Sequence, residues 1–144
     1  MGLAGPELVS VLTQAVSARP EILDAYLFGS QARGTSRVDS DVDVAVYLDP
    51  TTDMNAGFGV DAAIAADLMR ALGRNDIDVV LLNRADPVLY HRVLQDGLRL
   101  LVRDPQATAR REGYAMSCYF DFLPQLEKIR RAAHGRAIRG QFGQ

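Results

Sequence analysis

The chain has 144 residues, of which 48% are apolar and 24% charged, a composition that is ordinary for a globular domain. It lacks both the run of about 18 apolar residues that could span a bilayer and the basic flank and apolar core of a secretory signal. A single cysteine, Cys118, excludes an internal disulfide and a cysteine-based zinc cluster. These features predict one domain over residues 1–140 in a reducing cytoplasm.

The charge is unevenly distributed along the chain. Residues 1–100 carry 8 basic and 14 acidic side chains, whereas residues 101–144 carry 8 basic and 4 acidic ones. A basic C-terminal segment indicates either a nucleic acid or an acidic protein as a partner, or simply a solvated helix end.

The first third of the chain alternates helix and strand patterns. It predicts a helix over 6–18, a strand over 22–28, a single helical turn over 30–34 and a strand over 41–48. In the turn, Ser30 can serve as the N-cap and Gly34 as the stop. In the last strand, Asp41 and Asp43 alternate with valines, so both carboxylates lie on one face.

The rest of the chain continues the alternation. It predicts a loop over 51–59, a helix over 60–72, a strand over 77–82, a helix over 86–95, a strand over 98–102 and a long C-terminal helical region over 105–136. Pro124 is expected to kink or interrupt the last helix. The predicted fold class is α/β (α+β): a mixed sheet of about four strands flanked by helices.

Asp41 and Asp43 are the first candidate site residues. Their side chains leave the strand roughly 7 Å apart at their bases, and two carboxylates this close repel each other unless a cation lies between them. Oxygen-only ligands suit Mg²⁺, which takes one or two protein carboxylates and completes its shell with water and substrate phosphate. The pair is therefore typical of a magnesium–nucleotide site.

A third carboxylate on a neighbouring strand would complete a two-metal arrangement. Asp78 is the best candidate, because it precedes the strand residues VVLL much as Asp43 precedes VAV. Asp76 lies on the same predicted face and remains the alternative.

The turn before these carboxylates adds a second signal. Gly29 lets a phosphate approach the backbone, Ser30 can donate from both its hydroxyl and its N–H, and a helix that starts there favours an anion. Arg33, one turn later, could direct its guanidinium at a phosphate. A Gly-Ser turn or an Asp-x-Asp pair alone is common, but their combination around a strand–turn–strand unit is far more specific.

These residues resemble a known superfamily. Gly29-Ser30, ten intervening residues and Asp41-x-Asp43 form the signature of polymerase β-like nucleotidyltransferases. Within them, the segments GSQARG and SDVDVAV resemble the minimal nucleotidyltransferase (MNT) group, and the similarity continues weakly through DVVLLN at 78–83 and the C-terminal helix.

The resemblance implies a polymerase β-like fold, bound Mg²⁺ and transfer of a nucleoside monophosphate, by family preference from ATP, to a hydroxyl. Carried over residue by residue, Gly29 and Ser30 would hold the triphosphate, and Arg33 matches the nucleotide-binding pattern. Asp41, Asp43 and Asp78 would be catalytic and bind the metal.

The chain has no segment large enough to hold the acceptor after the sheet. Short MNT proteins resemble the antitoxins of type VII HEPN–MNT toxin–antitoxin systems, which adenylylate a tyrosine of a HEPN ribonuclease toxin. The resemblance therefore implies a hetero-oligomer with a HEPN toxin. No membrane partner is expected from the composition, and a nucleic acid partner is not favoured. The apolar residues of the C-terminal helix could dock this partner or pack on the chain's own sheet: Tyr114, Tyr119, Phe120, Phe122 and Leu123.

Two other functions remain open. The chain could neutralise its partner by binding alone, or it could transfer nucleotides to a small molecule or an RNA end. His91 is predicted to be a surface or packing residue, and Cys118 a small core residue.

Overall fold

The computed structural model describes residues 5–29, 32 and 41–138. The described elements, in chain order, are helix α1 (Pro6–Ser17), strands β1 (Ile22–Phe28) and β2 (Val42–Leu48), helix α2 (Val60–Leu72), strand β3 (Ile77–Leu81), a 3₁₀ turn (Leu82–Arg84), helix α3 (Pro87–Asp96), strand β4 (Leu98–Val102) and helix α4 (Pro105–Ile138). The mixed four-stranded sheet and its flanking helices confirm the predicted α/β fold class.

The sheet has the strand order β3-β2-β1-β4. β1 is antiparallel to both of its neighbours. β2 and β3 are parallel, because α2 carries the chain from the end of one strand back to the start of the other. The parallel pairing places the N-terminal ends of β2 and β3 side by side.

One face of the sheet packs on α1 and α2. Its buried core includes Leu12 from α1, Val44 from β2 and Ile64 from α2, each no more than 1% exposed. On both helices the buried residues recur at four-residue spacing, which is the apolar stripe expected of a helix lying on a sheet.

The opposite face packs on α3 and the first half of α4. Tyr26 and Ala45 from the sheet form a second buried cluster with Val93 of α3 and Ala115 of α4. Since side chains alternate along a strand, Asp43 lies on this same face, two residues before Ala45.

Polar contacts fix α4 to the sheet. The carboxylate of Asp24, which is fully buried in β1, accepts hydrogen bonds from Arg111 Nε and Nη2 at 2.8 and 2.9 Å and from Thr108 Oγ1 at 2.5 Å. The hydroxyl of Tyr26 donates to Glu112 Oε2 at 2.7 Å. The three partners on the helix, Thr108, Arg111 and Glu112, lie in the first turns of α4.

The second half of α4 extends beyond the domain. None of residues 121–136 is buried. This part of the helix therefore presents its side chains to solvent rather than to the sheet.

Most predicted helix and strand bounds are confirmed to within two residues. Asp86 caps α3, where its Oδ1 accepts from the Leu89 N–H at 2.8 Å, and Gly73 ends α2 in the left-handed conformation at φ +68°. The predicted turn over 30–34 lies outside the described residues, apart from Ala32, which is helical.

The predicted interruption at Pro124 is wrong, because α4 is one helix through that position. A proline inside a helix removes one N–H donor and leaves the carbonyl four residues earlier without its partner. That carbonyl belongs to Phe120, a residue that is 57% exposed. Water can hydrogen-bond to it, so the helix continues.

No described helix is both long enough and apolar enough to cross a membrane.

Candidate nucleotidyl-transfer site

The central feature of the site is a pair of carboxylates at the parallel β2–β3 edge. Asp43 and Asp78 are register partners on the two strands. Register partners on adjacent strands project their side chains on the same side of the sheet. The structure therefore brings together two aspartates that are 35 residues apart in sequence.

The electrostatics of Asp43 reflect this neighbour. Partial burial raises the pKa of the Asp43 carboxyl above its ordinary value, and the nearby charges of Asp78 and Asp41 raise it further. Repulsion between carboxylates favours the protonated form. Within the described part of the chain, no basic residue contributes to this shift, and a cation would stabilise such an arrangement.

Gly29 packs directly against the carboxylate of Asp43. It follows β1 at φ +79°, a left-handed conformation that glycine adopts at little cost. A Cβ placed on Gly29 would lie 2.6 Å from Asp43 Oδ2, closer than any side chain can approach. This glycine is therefore required both by the backbone turn and by the space that the carboxylate occupies.

The other predicted site residues are placed only in part. Asp41 is exposed and lies one residue before β2. It is close enough for its charge to raise the pKa of the Asp43 carboxyl. Ser30 and Arg33 lie outside the described residues. Within residues 5–29, 32 and 41–138 no group of three or more acidic, cysteine or histidine residues is arranged as a metal cluster, so a tight three-carboxylate cage is not formed.

Asp76 and Asp78, the two alternatives for the third carboxylate, have different surroundings. Asp76 precedes β3 and forms a bidentate ion pair with Arg74, with N···O distances of 2.5 and 2.6 Å. The hydrogen bonds from Arg74 lower the pKa of the Asp76 carboxyl. Asp76 already has a cationic partner, whereas Asp78 faces Asp43, and this difference favours Asp78.

The donor set fits Mg²⁺. Asp43 and Asp78 supply oxygen ligands only, and Mg²⁺ needs no more than one or two protein carboxylates when a substrate phosphate and water complete its shell.

The structure also shows residues that the sequence patterns did not single out. Asn83 bonds both the N–H and the C=O of Leu48 at 2.9 Å and so holds the end of β2. Asp24 and Arg111 form the ion pair that fixes α4. Asp24 had a recognisable signal, since it is a charged residue within an apolar strand pattern.

Two minor predictions have different outcomes. His91 is a packing residue, as predicted, because its ring stacks on Tyr119 with the centroids 3.7 Å apart. Cys118 is not a core residue: it is half-buried and lines a cavity between α4 and the C-terminal end of β2. The prediction rested on the usual burial of a free cysteine, which does not show how the helix faces its neighbours.

The fold and the carboxylate pair define a nucleotidyltransferase. The chain belongs to the family described as "Polymerase beta, Nucleotidyltransferase", which matches residues 11–106. This confirms the family resemblance.

A comparison with an individual relative is more specific than the family match. The chain is 35% identical over 81 residues to the protein adenylyltransferase MntA of Shewanella oneidensis, a match that covers 56% of this chain and 55% of that protein. The chain thus matches about half the length of this curated relative.

Two solved structures are similar over nearly their whole length. A chain from a toxin–antitoxin crystal structure with AMP-PNP superposes with a TM-score of 0.68 at 25% identity, covering 90% of this chain and 98% of the other. A structure of a tri-AMPylated HEPN toxin from Shewanella oneidensis in complex with an MNT antitoxin gives a TM-score of 0.67 at 24% identity, covering 88% and 98%. The second likeness establishes the fold alone.

Proposed function

We propose that this chain is an antitoxin that acts as a Mg²⁺-dependent protein adenylyltransferase and transfers AMP from ATP to a tyrosine of a HEPN ribonuclease toxin. The observation that carries the proposal is the register of Asp43 opposite Asp78, beside the positive-φ Gly29, in a nucleotidyltransferase fold. Support comes from the relative named as a protein adenylyltransferase and from the toxin–antitoxin structure with AMP-PNP, an ATP analogue.

Each site residue has a proposed role. Asp41, Asp43 and Asp78 hold Mg²⁺, which when bound neutralises charge on the phosphates and orients them. Gly29 and Ser30 receive the triphosphate through the backbone, with Arg33 as a further phosphate ligand. We place these roles in one domain over residues 1–140 that works in the cytoplasm.

The chemistry is a phosphoryl-group displacement. The tyrosine oxygen of the acceptor forms a bond to the α-phosphorus of ATP, the bond from that phosphorus to the β-phosphate oxygen breaks, and diphosphate leaves. The hydroxyl proton passes to the carboxylate of Asp78, which lies opposite Asp43 on the neighbouring strand. This chain contributes positioning and proton acceptance, and the partner contributes the nucleophile.

The C-terminal helix offers the surface for the partner. Tyr114 and Phe120 are 74% and 57% exposed on α4, and the rest of the helix extends from the domain without burial up to residue 136. Exposed aromatic residues on an uncovered helix are typical of a protein interface. This favours docking over packing on the chain's own sheet for these two residues, whereas Tyr119 is used internally by its stack on His91.

The test is an adenylylation assay with the product of the adjacent gene, which the proposal expects to be a HEPN protein. Radiolabelled ATP, Mg²⁺ and the wild-type chain should label the HEPN protein and abolish its ribonuclease activity, and the Asp41→Ala/Asp43→Ala double variant should do neither. Neutralisation by the double variant, with no label transferred, would refute the catalytic mechanism.

Neutralisation by binding alone is the second candidate, and the exposed aromatic residues of α4 are the observation that favours it. In this case a Phe120→Ala variant would release the toxin in the absence of ATP. Under the adenylyltransferase proposal, the same variant only slows labelling, and toxin that has already been labelled stays inactive after the antitoxin is removed.

A further inference from the structure

A cavity of about 720 Å³ lies between α4, the 3₁₀ turn and the C-terminal end of β2. Its size is within the range of pockets that hold small organic ligands. Tyr47 is the residue of β2 that lines the cavity. It follows Asp43 by four residues, which is a separation of about 13 Å along the strand. The cavity is therefore separate from the carboxylate pair, and neither Asp43 nor Asp78 contributes to its wall.

The charge of the cavity wall is positive. Arg84, Arg110 and Arg111 line it, and the described part of the wall has no aspartate or glutamate. Arg111 is neutralised by its ion pair with Asp24. Arg84 donates to the neutral amide oxygen of Asn55 at 2.9 Å, so its charge is not compensated.

Arg110 is exposed, and no ion pair joins it to a carboxylate of the described residues. Together with Arg84 it gives the cavity two guanidinium groups whose charges remain available. A guanidinium group is well suited to bind a phosphate through two parallel hydrogen bonds.

The remainder of the wall is largely apolar and aromatic. Tyr47 contributes a ring that is already covered on one face by Arg111, whose guanidinium carbon lies 4.9 Å from the ring centroid. Tyr114 adds a second ring at the exposed side. Aromatic rings and guanidinium planes both stack on flat heterocycles.

Tyr90 provides an independent sign that a polar ligand is missing. The residue is 9% exposed and lines the cavity, and its buried hydroxyl has no hydrogen-bond partner among the described residues. A buried polar group without a partner costs free energy, and native structures rarely leave one unsatisfied.

We propose that this cavity is a second ligand site, which binds a small phosphorylated molecule with a flat ring, of the nucleoside monophosphate type. Arg84 and Arg110 bind the phosphate, and Tyr47 and Tyr114 enclose the ring. The Tyr90 hydroxyl donates to a polar atom of the ligand. The site requires neither Mg²⁺ nor the toxin, so it is tested separately from the transferase activity.

Cys118 makes the test direct, because it is the chain's single cysteine and it lines the cavity. The rate of its alkylation by N-ethylmaleimide is measured without Mg²⁺ against increasing AMP, adenosine or inorganic phosphate. AMP should slow the reaction saturably, and adenosine and phosphate should each need at least about ten times the concentration, since each keeps only half of the contacts.

Matched variants test whether protection by AMP arises from binding in this cavity. Arg110→Ala should raise the half-saturating AMP concentration about tenfold or more, whereas Arg130→Ala, an exposed arginine later on the same helix, should not change it. Tyr90→Phe should also weaken protection by AMP, yet it should not lower the melting temperature of the free protein, because the lost hydroxyl has no partner.

The proposal is overturned if AMP leaves the alkylation rate unchanged at millimolar concentration, if adenosine protects as well as AMP, or if Arg110→Ala and Arg130→Ala behave alike. If free Cys118 reacts too slowly to measure, the methyl resonance of Met54 in the same wall reports the same comparison. Met69, which packs against the core on the other face of the sheet, is its internal reference.

Discussion

Asp43 and Asp78 are register partners on the parallel strands β2 and β3, and this pairing distinguishes Asp78 from every other acidic residue near the site. Asp76, two residues earlier, is held instead by Arg74. Two aspartates that are close in sequence therefore have different surroundings: Asp78 faces the site, and Asp76 forms an ion pair with Arg74.

The first prediction compares these two aspartates. Asp78→Ala should reduce adenylylation of the HEPN protein by about 10²–10⁴-fold, the usual contribution of a general base. Asp76→Ala should leave the rate within about twofold and cost about 0.2–1 kcal/mol of stability, as for other partly exposed ion pairs. Initial rates with labelled ATP and a thermal melt of each variant are the measurements, and a larger catalytic loss in Asp76→Ala would reverse the assignment.

The second prediction concerns the stability of the metal-free protein. Asp43→Asn removes a charge that burial and Asp78 both disfavour, so the variant should be more stable than the wild type near pH 7. Since the pKa of Asp43 is raised in the folded state, the wild type recovers this stability as the pH falls below the raised pKa and the group becomes protonated. Urea unfolding at pH 7.5 and at pH 4 should show the difference at the higher pH and its decrease at the lower one.

The third prediction is the pH dependence of metal binding. Mg²⁺ requires the ionised carboxylates, and the raised pKa of Asp43 means that protons compete with the metal at a higher pH than they would for an ordinary aspartate. The affinity for Mg²⁺, followed by calorimetry or by the rise in melting temperature, should therefore increase with pH through this raised pKa. Asp43→Asn should lose both the binding and its pH dependence, and an unchanged affinity in this variant would remove Asp43 from the metal site.

The fourth prediction separates the two requirements on Gly29. Gly29→Ala introduces backbone strain of about 1–2 kcal/mol and a clash with Asp43 Oδ2, so it should lower both stability and transfer activity. Gly73→Ala is the matched control: it has a similar φ of +68°, but an added Cβ there meets no atom within 4 Å. It should lower the free energy of unfolding by a similar strain and leave the rate unchanged, whereas equal activity of the two variants would show that Gly29 does not position the carboxylate.

The fifth prediction concerns the attachment of α4. Asp24→Ala leaves Arg111 without its buried partner and should cost about 3–5 kcal/mol of stability. Arg70→Ala breaks an exposed ion pair with Asp67 and should cost less than about 1 kcal/mol. Denaturant unfolding measures both, and similar losses would mean that the Asp24–Arg111 pair is not what fixes the helix to the sheet.

Much of this protein follows from local sequence. Alternating valines determine β2, the Asp86-Pro87 pair determines the start of α3, and glycine determines the end of α2 at Gly73, because each depends on side-chain periodicity or backbone preference within a few residues. Asp41 and Asp43 were identified in the same way, from their alternation with valines in the sequence, although β2 itself begins at Val42.

Other features depend on contacts that no local pattern contains. The sequence favoured Asp78 over Asp76, but only the tertiary structure shows that Asp78 is the register partner of Asp43, 35 positions away, while Asp76 is paired with Arg74. Pro124 failed to interrupt α4 because the carbonyl it leaves unpaired is on an exposed part of the helix, and exposure is set by packing. The turn from Gly29 and the acidic strand that follows it were thus determined by the sequence itself, whereas the partner that raises the pKa of Asp43, and the cavity at the far end of its strand, were decided by tertiary structure.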